Sequence, residues 1–85
     1  MRLPIIKHIN NFISSHDADY VHEALTLLED LSESKGVKDE ELDVIGELIS
    51  NMYGALEVKN LINEGMSEKE ALNTFMKRVM NSIDN

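Results

Sequence analysis

The sequence contains no cysteine, which excludes a disulfide framework, a thiolate metal site and a cysteine nucleophile. Long apolar runs are missing too: nothing approaches the ~20 residues of a membrane-spanning helix. At the N-terminus Lys7 and His8 interrupt what would be the apolar core of a signal peptide. A soluble cytoplasmic protein is the expectation. Basic charge is scarce where acid is dense. Residues 1–15 carry Arg2 and Lys7 and no acid, while residues 16–65 set thirteen Asp or Glu against Lys35, Lys38 and Lys59. Residues 66–85 balance three against three, so the net charge of −8 sits in the middle of the chain. Phosphates and anionic membrane surfaces are recognised mainly by Lys and Arg, so neither nucleic acid nor membrane is an expected partner.

Recognisable catalytic motifs are lacking as well. None of the serines, among them Ser14, Ser15, Ser32, Ser34, Ser50 and Ser67, stands in a G-x-S-x-G elbow. His8 and His22 have no sequence-adjacent nucleophile. The acidic run Asp39-Glu40-Glu41-Leu42-Asp43 has neither the alternating oxygen ligands nor the glycine of an EF-hand loop. Small acidic helical chains include the acyl carrier proteins, but their Asp-Ser-Leu attachment motif does not occur here. One stretch has the residue types for a divalent cation. In His16-Asp17-Ala18-Asp19-Tyr20-Val21-His22-Glu23, Asp19 precedes His22 by three residues and Glu23 by four, so a helix would place them near one another, with His16 just before. An ordinary reading also covers these residues: Asp17 caps a helix, Asp19 meets its dipole and the histidines are solvated. No cofactor is expected.

What is present is helical periodicity from end to end. Eighty-five residues make one domain with a modest core. A first helix opens at Pro4, suited to a first turn, and repeats Ile5, Ile6, Ile9, Phe12 and Ile13 until Ser14 or Ser15. Asp17 is placed to cap a second, with the stripe Val21, Ala24, Leu25, Leu28 and Leu31, ended by Gly36 as a left-handed residue. Asp39 is placed to cap a third, which runs to about Glu64 and stops at Gly65. Ser67 and Glu70 form an S-x-x-E capping box, with Met66 and Ala71 as its hydrophobic staple, opening a fourth helix lined by Leu72, Phe75, Met76, Val79 and Ile83. Short connections favour an all-α, four-helix up-and-down bundle or a close relative with a long third helix, about 39–64. Met52, Met66, Met76 and Met80 read as core filling.

The third helix carries the functional expectation. At ~1.5 Å per residue it spans roughly 39 Å, long for so small a bundle to cover. Val44, Ile62, Ala55, Leu48, Met52, Ile45, Leu56, Ile49, Leu42 and Tyr53 occupy about half its circumference, against the ~100° stripe that core packing needs. Beside Tyr53 and Leu42, the small residues Gly46, Ser50 and Gly54 form an i, i+4, i+8 row. Each glycine costs roughly 1 kcal/mol relative to alanine in a helix interior, so the row points to a close helix crossing, within the bundle or across a two-fold dimer.

The segments Asp39–Ala55, Glu70–Asn73 and Phe75–Val79 resemble a family of short uncharacterised bacterial all-helical proteins. That resemblance spans nearly the whole chain and implies a bacterial cytoplasmic origin, without an activity. The expectation is therefore a non-enzymatic protein that acts by protein–protein association, a homodimer with Leu42, Gly46, Ser50, Tyr53 and Gly54 near the contact. An acidic adaptor or inhibitor that offers Asp39–Glu47 to a basic protein is the second reading, and a divalent-metal protein using His16, Asp19, His22 and Glu23 the third.

Overall fold

The computed structural model describes the backbone of residues 2–84 and the side chains of residues 2–81. Four helices follow one another: α1 (Leu3–Ser15), α2 (Asp19–Leu31), α3 (Asp39–Asn63) and α4 (Glu68–Asp84). The fold is an all-α four-helix bundle, and the described residues contain no strand. The expected side chain of Ile83 lies outside the described residues.

Local chemistry sets the helix ends. Pro4 sits in the first turn of α1, where its missing N–H leaves no bond unmade. Asp17, expected as the cap of α2, stands one residue too early: Ala18 holds the position before Asp19, and Asp17 Oδ1 accepts the Asp19 N–H at 3.0 Å in the turn that leads in. Asp39, expected as a cap, is instead the first residue of α3; Lys38 holds the extended position before it, and the Glu41 carboxylate accepts the Lys38 N–H at 3.0 Å. A lysine side chain has nothing to accept with, so it caps none of the first-turn N–H groups, and Glu41 satisfies the Lys38 N–H alone. Gly36 does not take the left-handed conformation expected of it. The chain leaves α2 through Ser32, Glu33 and Ser34, whose N–H groups bond Leu28, Asp30 and Leu31 carbonyls, and Ser34 Oγ then accepts from the Gly36 N–H at 3.2 Å. A serine-closed turn needs no positive φ.

Gly65 does need one. With φ at 115° it ends α3, its N–H bonding the Ile62 carbonyl while the Met66 N–H reaches back to Leu61. That pair of bonds is a Schellman motif, and it turns Met66 onto the core. Ser67 then accepts the Glu70 N–H and donates its hydroxyl to the Glu70 carboxylate, both at 3.2 Å, which starts α4 where the S-x-x-E spacing placed it.

α3 is the spine against which α1, α2 and α4 pack. Ile6 of α1, Ala55, Val58 and Leu61 of α3, and Ala71, Leu72 and Phe75 of α4 form one buried cluster. Ile13, Val21 and Leu25 form a second, backed by Ile49, Met52 and Leu56, and Ile9 touches both. Four aligned helices would be about as wide as they are thick, but the Cα envelope measures 42 × 34 × 17 Å. The helices are spread around α3. Accordingly the Cα radius of gyration is 13.8 Å, against about 12 Å for a compact chain of this length.

Candidate functional site: the projecting half of the third helix

Only the C-terminal half of α3 is enclosed. From Asp39 through Ser50 no residue is buried, and of its apolar side chains only Ile45 and Ile49 are half-covered. Burial begins at Asn51 and continues through Gly54, Ala55, Val58 and Leu61. The reason is the position of the neighbours. α1 enters at Asn51, whose Oδ1 accepts the Arg2 N–H at 2.8 Å, and the α2 core residues Val21 and Leu25 reach only Ile49, Met52 and Leu56. The turns from Asp39 to Ser50 are therefore only partly covered, at Ile45 and Ile49, and the rest of their surface lies open. Isolated helices of this length are marginal in water, so apolar contact with something is the usual way to hold them.

At about 100° per residue, Leu42, Gly46, Ser50 and Tyr53 share one side of this half, and all four are exposed. Leu42 is 41% and Tyr53 50% exposed. Tyr53 also bridges to α2, its hydroxyl donating to Glu29 Oε1 at 2.9 Å. Gly46 has open space where a β-carbon would be: among the described residues, its two chain neighbours apart, no side chain lies within 4 Å of that position. Gly54 departs from the row. It faces the core, and a β-carbon there would meet Phe75 at 2.9 Å and Ile6 at 3.2 Å. The two glycines thus separate, one used inside the chain and one left free. On the opposite side of the same half, Val44 and Leu48 are exposed above a shallow depression shared with Arg2, Ile5, Glu47 and Asn51.

The total accessible surface is 6035 Å², where a monomer of this mass is expected to have about 5,100 Å². The difference is comparable with the ~800 Å² that each partner contributes to a standard interface. The segment also concentrates charge. Asp39, Glu40, Glu41, Asp43 and Glu47 are all exposed on it, against Lys38.

The possible cation site is not assembled. His16 stacks face to face on Phe12, with ring centroids 4.1 Å apart, and its Nδ1 lies 3.1 Å from the Phe12 carbonyl oxygen, while Tyr20 meets both rings edge-on. Asp19 and Glu23 line a shallow polar depression with Asp17 and Tyr20, without either histidine. Among the described residues no group of three or more His, Asp or Glu converges in a way that would hold a metal ion, so His16, Asp19, His22 and Glu23 are not a ligand set. Helical spacing brought the residues to one end of α2, but the stacking of His16 on α1 draws its ring away.

α2 also holds residues that the sequence stripe misplaced. Only Val21 and Leu25 are buried there; Ala24 and Leu28 are half-covered, and Leu31 is exposed. A second apolar line, Tyr20, Ala24, Leu27 and Leu31, runs along the outside. Its four-three-four spacing was readable in the sequence, but it competes with the inward stripe for the same alanine and leucine. No helix of the described residues is long and apolar enough to cross a membrane.

Residues 1–84 match the model of a family of unknown function, DUF6952. No curated protein and no solved structure matches the chain.

Proposed function

The chain belongs to this family of unknown function, and we propose that it acts by association rather than catalysis: two copies pack through the Leu42, Gly46, Ser50 and Tyr53 side of α3. The carrying observation is the run Asp39–Ser50, which has no buried residue although it bears five large aliphatic side chains, Leu42 being the exposed one on this face. Gly46 gives the face its closest point of approach, since removing a β-carbon lets two helix backbones near each other. Its helix penalty, roughly 1 kcal/mol against alanine, has no return within a single chain. Tyr53, hydrogen-bonded to Glu29, would enter the contact already oriented.

The test is sedimentation equilibrium of the purified chain and of Gly46→Leu. A dimer that the leucine weakens supports the reading. A wild-type monomer across the accessible concentration range rejects it.

A second reading is favoured by the exposed acids Asp39, Glu40, Glu41, Asp43 and Glu47 on the same half. A basic protein would be steered to them, and such steering weakens steeply with salt. Retention of a partner from lysate that vanishes between low and moderate salt, with the chain itself monomeric, would select this reading over the dimer.

A further inference from the structure

A second surface, independent of the α3 face, is written on α2. Val21 and Leu25 turn inward, and the outer line Tyr20, Ala24, Leu27 and Leu31 repeats at four, three and four residues, the spacing of a coiled-coil seam. Tyr20 is 59%, Leu27 66% and Leu31 41% exposed. At its N-terminal end this line is not flat. Tyr20 and Ala24 line an apolar trough of about 400 Å³ with His8 and Phe12 of α1 and Met52 of α3, Tyr20 meeting Phe12 edge-on.

Charge decides what the trough suits. On the solvent side of the seam, within about 100° of it by helical projection, stand Asp19, Glu23 and Asp30, all exposed. α2 contains no Lys or Arg, and the ion pair found among the described residues, Arg78 with Glu57, is elsewhere. Among the described residues none of the three carboxylates has an ion-pair partner. A second copy offering the same seam would set like charges against each other, and an anionic lipid surface would meet the same repulsion. We propose that the α1–α2 trough receives the apolar side of a basic amphipathic helix from a partner protein, with leucine-like residues at i, i+3 or i+4 and i+7 on the seam, and Lys or Arg over Asp19, Glu23 and Asp30. This is helix-in-groove recognition with an acidic rim.

The probe is a fluorescent fourteen-residue peptide of leucine and lysine with leucines at those spacings, alongside its counterpart in which glutamate replaces lysine. The expected result is that the lysine peptide binds in an anisotropy titration, the glutamate peptide does not, and amide shifts concentrate on Tyr20–Leu31. Leu27→Ser, at an exposed position that leaves the core intact, weakens binding about tenfold, as does the pair Glu23→Gln and Asp30→Asn. Leu42→Ser, on the self-association face, leaves it unchanged. Equal binding by both peptides, or full binding by the Leu27 and the carboxylate variants, overturns the proposal. So does a loss seen only in Leu42→Ser, which would move the site to α3. If Leu27→Ser instead dissociates a dimer of the chain, the occupant is a second copy and the basic partner is wrong, whatever becomes of the Gly46 test.

Discussion

Gly54 and Phe75 meet so closely that a β-carbon on the glycine would lie 2.9 Å from Cζ of the ring. Phe75 is itself buried in the main cluster, so the ring has little room to retreat. Overpacking of this kind costs about 1–3 kcal/mol, which outweighs the roughly 1 kcal/mol that alanine gains over glycine in a helix. Gly54→Ala is therefore expected to destabilise the chain. Gly46 sits in the same helix with nothing near it, so Gly46→Ala is expected to stabilise by about 0.5–1 kcal/mol. Chemical denaturation of the two variants should show opposite signs, and matching signs would contradict the packing described for one of them.

Tyr53 links α3 to α2 through Glu29, and the link has a pH signature. The hydrogen bond to Glu29 raises the phenol's pKa above its ordinary value, with desolvation and the carboxylate's charge adding in the same direction. A group raised in the folded state adds stability that is complete below its unfolded pKa, about 10 for tyrosine, and is lost as pH rises through the folded value. The stability difference between wild type and Tyr53→Phe should therefore be constant at neutral pH and shrink in the alkaline range. Ultraviolet titration should place the component absent from Tyr53→Phe above the ordinary tyrosine position. A component at or below that position would mean the bond to Glu29 does not form.

Two buried asparagines make a contrasting pair. Asn51 is fully used, its Oδ1 taking the Arg2 N–H and its Nδ2 donating to the Glu47 carbonyl, both at 2.8 Å. Asn10 reaches the Ala55 carbonyl only at 3.5 Å, and its Oδ1 has no partner. Replacing a satisfied group strands its partner, at about 1–3 kcal/mol, whereas replacing an unsatisfied one by an apolar group of similar size is near neutral or favourable. Asn51→Leu should thus lower the melting temperature and Asn10→Leu should hold or raise it. Equal losses in both would show that Asn10 has a partner in solution.

The helices themselves were legible because their signals are local. Ser67 with Glu70, Gly65, and Pro4 each act within one turn, and each lies where its spacing implied. Capping at Asp17, Asp39 and Gly36 was misread by the same rules, because Ala18 and Lys38 hold the positions before α2 and α3 and the Ser34 hydroxyl closes the turn after α2. Burial was less legible. Gly46 and Gly54 belong to one i, i+4, i+8 row in the sequence, and the arrival of Phe75 and Ile6 is what distinguishes them. Likewise Leu31 belongs to both stripes of α2, and which one is covered depends on where α1 and α3 stop. Periodicity names a face; it does not say whether the neighbour on that face belongs to the chain.

Gly46→Leu is the decisive substitution for self-association, because its effects on folding and on contact should point in opposite directions. The site is exposed and helical, so leucine raises helix propensity by up to about 1 kcal/mol and the isolated chain should melt no lower than wild type. If two copies meet at Gly46, the new side chain separates their backbones and removes the close packing on which the contact depends. The dimer dissociation constant should then rise at least about tenfold, while circular dichroism of the dilute chain is unchanged. Leu42→Ser should weaken the dimer too, through lost apolar area instead of a clash. Gly54→Leu would not serve, since it disrupts the core against Phe75 and confounds folding with assembly. A chain that stays monomeric up to about 100 μM, some −5.5 kcal/mol of association, leaves the face of Leu42, Gly46 and Tyr53 without a second copy to cover it.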